Sequence, residues 1–374
     1  MGTTIFAEMS ALAVATGSIN LGQGFPDTDG PASLLEDAVA AIRSGEHNQY
    51  PPGPGIPALR QAVAAHQAHH YGLRFDADTE VLVTAGATEA IAAAVLALTE
   101  PGDEVVVFEP YYDSYSATVE LAGCRRRTVT LRPGPAAAGA PTHWTFDPDE
   151  LRAAVTSRTR LVVLNTPHNP TGTVFDDAEL QHVADLAVAH DLVVLSDEVY
   201  EHLVFDGVHR PVATLPGMAG RTLTVGSAGK TFSVTGWKIG WVTGPAHLVT
   251  ATRGVKQFLT YVSGGPFQPA VARAIERTTD DDYAAAAKDL GTRRDLFCDG
   301  LPHVMKPQAT YFATVDVGRD AVAYCRELPA KAGVVAIPSS AFYDSDAGDT
   351  FVRFAFCKRP DVLHSARQRL EAVR

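Results

Sequence analysis

Short apolar runs alternate with helical segments from residue 81 onward, and this alternation is the feature that most constrains the fold. The runs at 81–83, 105–108, 161–164 and 192–195 are apolar without a polar partner at every second position. Helical patterns at 89–98 and 178–190 lie between them. Strands that are buried on both faces show this pattern, and helices between them favour parallel pairing. The sequence therefore predicts an α/β fold with a mainly parallel sheet between helices.

The length of the chain predicts two domains. A chain of 374 residues exceeds a typical single core. From residue 274 the pattern changes to a long helix rich in alanine, a β-like run at 311–317 and a final strand and helix. We expect a large domain at 34–273. The N-terminal arm at 1–33 and the C-terminal part at 274–374 would form a smaller α+β domain.

Charge and cysteine spacing limit the partners and the compartment. A formal net charge of -12 disfavours nucleic acid as the main partner, because phosphate backbones require a basic face. No apolar stretch has the length of a membrane span. The four cysteines lie far apart, which predicts reduced thiols in a cytoplasmic protein and no cysteine-based zinc site. We expect no metal at the functional site.

One lysine stands in a run of small residues after a β-like segment. The segment 226–238 reads GSAGKTFSVTGWK and contains Lys230 and Lys238. Small neighbours allow a bulky group to approach, and a buried lysine can lose its proton and act as a nucleophile. A nucleotide-binding loop would need glycine where Thr224 stands. The Ser227-x-x-Lys230 spacing lacks the other motifs of penicillin-recognising serine enzymes. We interpret Lys230 as the amine that holds a carbonyl cofactor.

Other polar residues follow the predicted strands. Asn169 lies in a proline-rich segment after the run at 161–164, where a tight turn is the simpler interpretation. Asp197 and Tyr200 follow the next strand and could face one ligand, although an acid there also suits a helix cap. Glu198 would point elsewhere. The segment 85–89, AGATE, opens a helix and could bind phosphate or serve as a plain N-cap.

Taken together and in order, these motifs resemble the pyridoxal-phosphate aminotransferases of fold type I. The similarity covers nearly the whole chain and includes the segments NLGQGFPD at 20–27, NQY at 48–50, EPYY at 109–112 and VRF at 352–354. The family's cofactor is pyridoxal 5'-phosphate, which a lysine holds as a Schiff base. Its members are homodimers with sites shared between subunits. The resemblance therefore implies a homodimer whose partners are small-molecule substrates, an amino acid and a 2-oxo acid.

The resemblance assigns roles residue by residue. Lys230 would be the Schiff-base lysine and proton shuttle, Asp197 would pair with the pyridine nitrogen, and Asn169 and Tyr200 would donate to the phenolic oxygen. Tyr112 would stack on the ring. The phosphate would be held by Ala87, Thr88, Ser227, Lys238 and, from the neighbouring subunit, Tyr50. The α-carboxylate of the substrate would meet Gly24, Asn169 and Arg353. Phe6 stands where kynurenine-specific relatives carry tryptophan, and Lys238 stands where aspartate aminotransferases usually carry arginine.

Closer similarity points to one bacterial branch. The segments at 48–55, 86–95, 197–205 and 357–359 resemble enzymes described as N-succinyldiaminopimelate aminotransferases. This implies a ping-pong transfer with glutamate and 2-oxoglutarate as the second substrate pair, in lysine biosynthesis. Two alternatives stay open: a broad-specificity kynurenine, glutamine or methionine aminotransferase, and a cysteine-S-conjugate β-lyase on the same fold. A non-enzymatic regulator would need a DNA-binding domain, which the sequence does not indicate.

Overall fold

The computed structural model describes residues 4–135 and 140–373. Its strands are β1 (Ile19–Asn20), β2 (Val81–Thr84), β3 (Glu104–Glu109), β4 (Arg125–Thr130), β5 (Arg132–Pro133), β6 (Trp144–Thr145), β7 (Thr159–Asn165), β8 (Val193–Asp197), β9 (Thr222–Ser227), β10 (Gly240–Thr243), β11 (Val304–Met305), β12 (Phe312–Asp316), β13 (Val334–Val335), β14 (Ile337–Pro338) and β15 (Phe351–Ala355). Its α-helices are α1 (Ile5–Thr16), α2 (Ala32–Ser44), α3 (Pro57–Tyr71), α4 (Gly86–Leu98), α5 (Asp113–Leu121), α6 (Pro148–Ala154), α7 (Asp177–Ala189), α8 (Ala228–Thr231), α9 (Ala246–Leu259), α10 (Phe267–Arg277), α11 (Asp280–Cys298), α12 (Ala321–Ala332) and α13 (Pro360–Ala372).

A seven-stranded sheet forms the centre of the molecule, in the order β2-β10-β9-β8-β7-β3-β4. Strands β4, β3, β7, β8 and β9 pair in parallel, and β10 runs antiparallel to both β9 and β2. Parallel neighbours place their carboxyl ends on one edge, where sites of α/β proteins lie. The mainly parallel sheet that the apolar runs predicted is present.

Strand β3 shows why those runs lack alternation. Val105 and Val107 pack into one core with α4, whereas Val106 and Phe108 pack into a second core on the opposite face. Successive side chains of a strand point to opposite faces, so both sets of side chains must be apolar when helices cover both sides. Helix α7 on the second face begins with a capping box between Asp176 and Glu179, which satisfies amides at its first turn.

A second, antiparallel sheet in the order β11-β12-β15-β14 lies in the C-terminal part. The N-terminal arm joins this part, because β1 pairs in parallel with β13 and α1 packs on α12. The arm therefore contacts the elements that the domain prediction grouped with it. The predicted boundary at residue 273 falls inside α10, and the division at 33 and 273 stays a prediction.

None of the helices in the described part of the chain combines the length and apolarity needed to cross a membrane. All four cysteines are buried free thiols.

Candidate active site

A cavity of about 410 Å³ opens at the carboxyl ends of the central parallel strands. We call it the central cavity, and it is lined by residues from α1, α4, α5, the ends of β7, β8 and β9, and β15. Every predicted site residue except Tyr50 lines it: Phe6, Gly24, Ala87, Thr88, Tyr112, Asn169, Asp197, Tyr200, Ser227, Lys230, Lys238 and Arg353. The fold thus brings together residues spread over more than 340 positions of the chain.

Lys230 lies on the short helix α8, directly after β9. Its Nζ donates a 2.7 Å hydrogen bond to the hydroxyl of Tyr311, which donates in turn to the carbonyl of Gly24 at 2.8 Å. Burial is the main cause that lowers the pKa of the Lys230 amine to about 8; the charges of Arg353 and Lys238 act in the same direction, and that of Asp197 opposes them. A substantial fraction of this amine is therefore neutral, and nucleophilic, near physiological pH.

Asp197 ends strand β8 and is buried. Its Oδ2 accepts a 2.5 Å hydrogen bond from the hydroxyl of Tyr115, and burial raises its pKa to about 6 although this bond opposes the shift. No lysine, arginine or histidine forms an ion pair with Asp197 within residues 4–135 and 140–373. A buried carboxylate that forms no ion pair is costly, so the site is suited to a ligand that carries a positive charge.

Arg353 projects from β15 and is 4% exposed. Its Nη1 donates to the side-chain oxygen of Asn169 and its Nη2 to the carbonyl of Gly22, both at 3.1 Å. The guanidinium carbon lies 4.1 Å from the ring centre of Phe312. Burial lowers its pKa to about 10, which still leaves the group charged at neutral pH.

No carboxylate pairs with Arg353 in the described part of the chain, and its Nε has no hydrogen-bond partner there. A buried, planar donor fork with a free N–H is suited to a carboxylate ligand, which can accept two parallel hydrogen bonds.

The N-terminus of α4 forms a second polar wall. Gly86 has φ +74°, and no side chain caps the helix at Ala85. A Cβ atom at Gly86 would lie 3.2 Å from Nζ of Lys238, and one at Gly240 would lie 2.8 Å from the amide nitrogen of Ala87. These glycines allow Lys238 and the free amides to meet. Lys238 makes no ion pair among the described residues, so the wall combines a helix N-terminus with a free ammonium group and favours an anion.

Aromatic side chains and one glycine shape the rest of the central cavity. Tyr112 stands at the start of α5 with its ring edge-on to Tyr115, and the ring of Phe6 lies 5.7 Å from that of Phe342. A Cβ atom at Gly24 would lie 2.4 Å from Phe312, so only glycine fits against this ring.

Tyr50 does not line the central cavity of its own chain. It is 82% exposed, and its ring lies edge-on to that of Tyr261 at 5.6 Å. If Tyr50 contributes to a site, as predicted, that site must belong to a second copy of the chain.

Several residues of the site lacked a sequence signal of their own. Tyr115 and Tyr311 hold Asp197 and Lys230 through long-range hydrogen bonds. Asn165 donates to the carbonyl of Asp197 at 2.8 Å and accepts from the amide of Asn169 at 2.8 Å. Its position at the end of β7, and the spacing of three residues between Tyr112 and Tyr115, are the available clues.

Glu198 points away from the central cavity, as predicted. Its carboxylate accepts hydrogen bonds from Ser196 at 2.7 Å and pairs with His209 at 2.9 Å.

Comparisons with known proteins agree with this geometry. The family model for aminotransferase class I and II matches residues 16–370. A probable N-succinyldiaminopimelate aminotransferase of Mycobacterium tuberculosis is 52% identical over 99% of this chain and 96% of its own length. The methionine aminotransferase of Escherichia coli is 39% identical over 100% of this chain and 96% of its own length. A kynurenine–oxoglutarate transaminase of Dictyostelium discoideum is 37% identical, with 99% of this chain and 94% of that protein covered.

Solved structures lead to the same family. The N-succinyldiaminopimelate aminotransferase from Mycobacterium tuberculosis superposes with a TM-score of 0.94, and the match covers 100% of this chain and 98% of that one. The predicted α/β architecture of fold type I is confirmed. The chain therefore belongs to the class I and II aminotransferases.

Proposed function

We propose that the central cavity binds pyridoxal 5'-phosphate and that the protein transfers an amino group from an L-amino acid to a 2-oxo acid by a ping-pong mechanism. The observation that carries the proposal is the meeting of Lys230, Asp197, Lys238 and Arg353 in one cavity, with charges that form no ion pair among the described residues. A protonated pyridine nitrogen, a phosphate and a carboxylate would compensate those charges.

The residues of the cavity fit this cofactor. Asp197 would hold the pyridine nitrogen, Asn169 and Tyr200 the phenolic oxygen, and Tyr112 the ring face. Ala87, Thr88, Ser227 and Lys238 would hold the phosphate at the N-terminus of α4. Lys230 would bind the aldehyde carbon covalently. Tyr50 would reach the phosphate of a second subunit, so the proposal includes a homodimer, and the exposed Tyr50 and Phe258 support it as apolar surface available for contact.

Bound in this way, the cofactor supplies an electron sink that acidifies the Cα–H bond of the substrate. The side chains of this protein then position and deprotonate that carbon. Arg353 and Asn169, with Gly24 beside them, would fix the α-carboxylate, and the free amine of Lys230 would take the proton from Cα. A base works best with a pKa near the operating pH, and the pKa of Lys230, about 8, meets that condition.

We further propose N-succinyl-LL-2,6-diaminopimelate and 2-oxoglutarate as the physiological pair, with a role in lysine biosynthesis. The support is the 52% identity to the mycobacterial enzyme of that name, compared with 39% and 37% for the methionine and kynurenine enzymes. The four buried free thiols suit a reducing compartment, and we propose the cytoplasm.

A panel of amino donors tests both the proposed transaminase activity and the proposed substrate. Each donor is mixed with the enzyme, and conversion of the bound aldehyde to the amine form is followed by absorbance. We expect N-succinyldiaminopimelate and glutamate to react fastest. If methionine or kynurenine reacts efficiently and N-succinyldiaminopimelate does not react, the proposed substrate is wrong, whereas the transaminase proposal stands. Release of pyruvate and ammonia from a cysteine conjugate without a 2-oxo acid would favour β-elimination.

A further inference from the structure

Three histidines meet outside the central cavity. His66 and His70 are four residues apart on α3 and therefore lie on one face of that helix. His202 follows β8, five residues after Asp197. One ring nitrogen from each histidine lies within 4.8 Å of the others, and the Nε2 atoms of His66 and His202 are 2.7 Å apart. The helix and the turn thus direct three nitrogen donors at one point.

Neighbouring side chains hold these rings in place. The ring of His202 stacks on Tyr283 of α11, with centroids 3.7 Å apart and planes inclined by 8°. The amide of Gln67 lies 3.5 Å from Nδ1 of His66, and Nδ1 of His70 lies 3.9 Å from a carboxylate oxygen of Asp280. Ligating histidines commonly form a hydrogen bond through the second ring nitrogen, and Gln67 is placed to accept or donate one at His66.

A buried acid lies close to the three histidines. Glu201 is 7% exposed and interacts electrostatically with His70, and its Oε2 has no hydrogen-bond partner in the described part of the chain. This unpartnered oxygen adds an acceptor close to the three imidazole rings.

We propose that His66, His70 and His202 bind one divalent transition-metal ion of the zinc class, with water as the fourth ligand. Imidazole nitrogen suits zinc, cobalt and nickel, whereas magnesium and calcium prefer oxygen. Both His70 and His202 are partly exposed, so solvent reaches the cluster. The site would tie α3 to the turn that follows Asp197 and carries Tyr200, and it is independent of the proposed substrate.

The competing explanation is a direct N–H···N hydrogen bond between His66 and His202 with no metal. A tetrahedral ion with bonds of about 2.0–2.1 Å keeps two nitrogens ~3.3 Å apart. The observed 2.7 Å is shorter, so binding requires the two rings to separate by ~0.6 Å, which small side-chain rotations can provide.

Calorimetric titration of Zn²⁺ into untagged, chelator-treated holoenzyme tests the proposal. We expect one Zn²⁺ per chain. In His70→Gln and in His202→Gln the affinity should fall by more than about 100-fold, the upper limit for losing an outer contact of a metal site. His69→Gln is the matched control, because His69 is the neighbour of His70 on α3 but its side chain is 64% exposed and pairs with Asp280.

Two further readouts separate a built site from surface binding. Co²⁺ should give the visible bands of a four-coordinate site in the wild type and His69→Gln, but not in His70→Gln. Zn²⁺ should raise Tm in the same two proteins only. Absence of stoichiometric binding, or binding that survives both His70→Gln and His202→Gln, would overturn the proposal. His70 is the more exposed ligand, so this variant remains informative if His202→Gln fails to fold.

Discussion

The hydroxyl of Tyr115 donates a 2.5 Å hydrogen bond to Oδ2 of Asp197 and thereby joins α5 to the end of β8. The bond favours the charged carboxylate, because it opposes the effect of burial, and the pKa of Asp197 is about 6 with both effects included. Tyr115, 82 positions away in the chain, thus favours the carboxylate form of Asp197, which can pair with a cation.

Replacing Tyr115 should weaken cofactor binding. In Tyr115→Phe the pKa of Asp197 rises further, so less carboxylate is available at neutral pH to pair with the pyridine nitrogen. A hydrogen bond to a charged group contributes about 1.5–3 kcal/mol, so we expect the dissociation constant to rise about 10-fold or more. Equilibrium dialysis measures it. Tyr111→Phe is the control, since Tyr111 donates a 2.7 Å bond to Asp344 outside the central cavity. Equal loss of affinity in the two variants would contradict the prediction.

Removing Lys230 should separate binding of the cofactor from its covalent attachment. Lys230→Ala retains Asp197, Lys238 and the N-terminus of α4, so the cofactor should remain bound. Borohydride should no longer fix it to the chain, and turnover should stop. Mass spectrometry of the borohydride-treated protein checks this, with the surface variant Lys331→Ala as control. A trapped adduct in Lys230→Ala would remove Lys230 from its proposed role.

The pKa of Lys230 can be measured in the cofactor-free protein. Only the neutral amine reacts with acylating reagents, so its modification rate should rise with pH to a midpoint at about 8. The same peptide in the denatured protein should give a midpoint near the ordinary lysine value of ~10.4. The pKa of Lys230 is lower in the folded protein than in the unfolded chain. The contribution of Lys230 to the free energy of unfolding therefore rises with pH between about 8 and ~10.4.

Replacing Arg353 tests the direction in which its charge shifts the pKa of Lys230. Its positive charge lowers the pKa of Lys230, so Arg353→Met should move the midpoint to higher pH. A shift to lower pH would show that the charge of Arg353 is not felt at Lys230.

Arg353→Lys should slow the reaction of substrates that carry an α-carboxylate. Lysine keeps the charge but loses the planar fork, and we expect kcat/KM for α-amino acids to fall about 100-fold, which corresponds to ~3 kcal/mol. A simple amine without a carboxylate should react equally slowly with both enzymes. The exposed Arg359→Lys serves as the control. Equal impairment of the simple amine would indicate general damage to the cavity and contradict a carboxylate role.

Mixed subunits test the role of Tyr50. Lys230→Ala and Tyr50→Ala should each be impaired alone. If Tyr50 acts on a second subunit, a mixed dimer has one site with both residues intact, and an equimolar mixture should regain about one quarter of wild-type activity. Activity after refolding the two variants together measures this, with the separately refolded variants as the baseline. No recovery would place Tyr50 outside the neighbouring site.

The alternation of apolar runs and helices determined the mainly parallel sheet. Non-alternating segments can be satisfied only by burial on both faces, as β3 shows through its contacts with two separate cores. The order of strands then places their carboxyl ends at one edge. Asn169, Asp197 and Lys230 were predictable as site residues because each follows such a strand and belongs to a recognisable motif.

Only the tertiary structure decided how those residues are supported. Tyr115 and Tyr311 contact Asp197 and Lys230 across 82 and 81 positions, and no local pattern encodes a hydrogen bond of that separation. The same holds for the three-histidine cluster. The spacing of His66 and His70 was visible on α3, but the third nitrogen comes from a turn 132 residues after His70 that packs against the helix only in the folded protein. A site formed by a single chain segment can be recognised in the sequence, whereas a site formed between segments depends on how they pack.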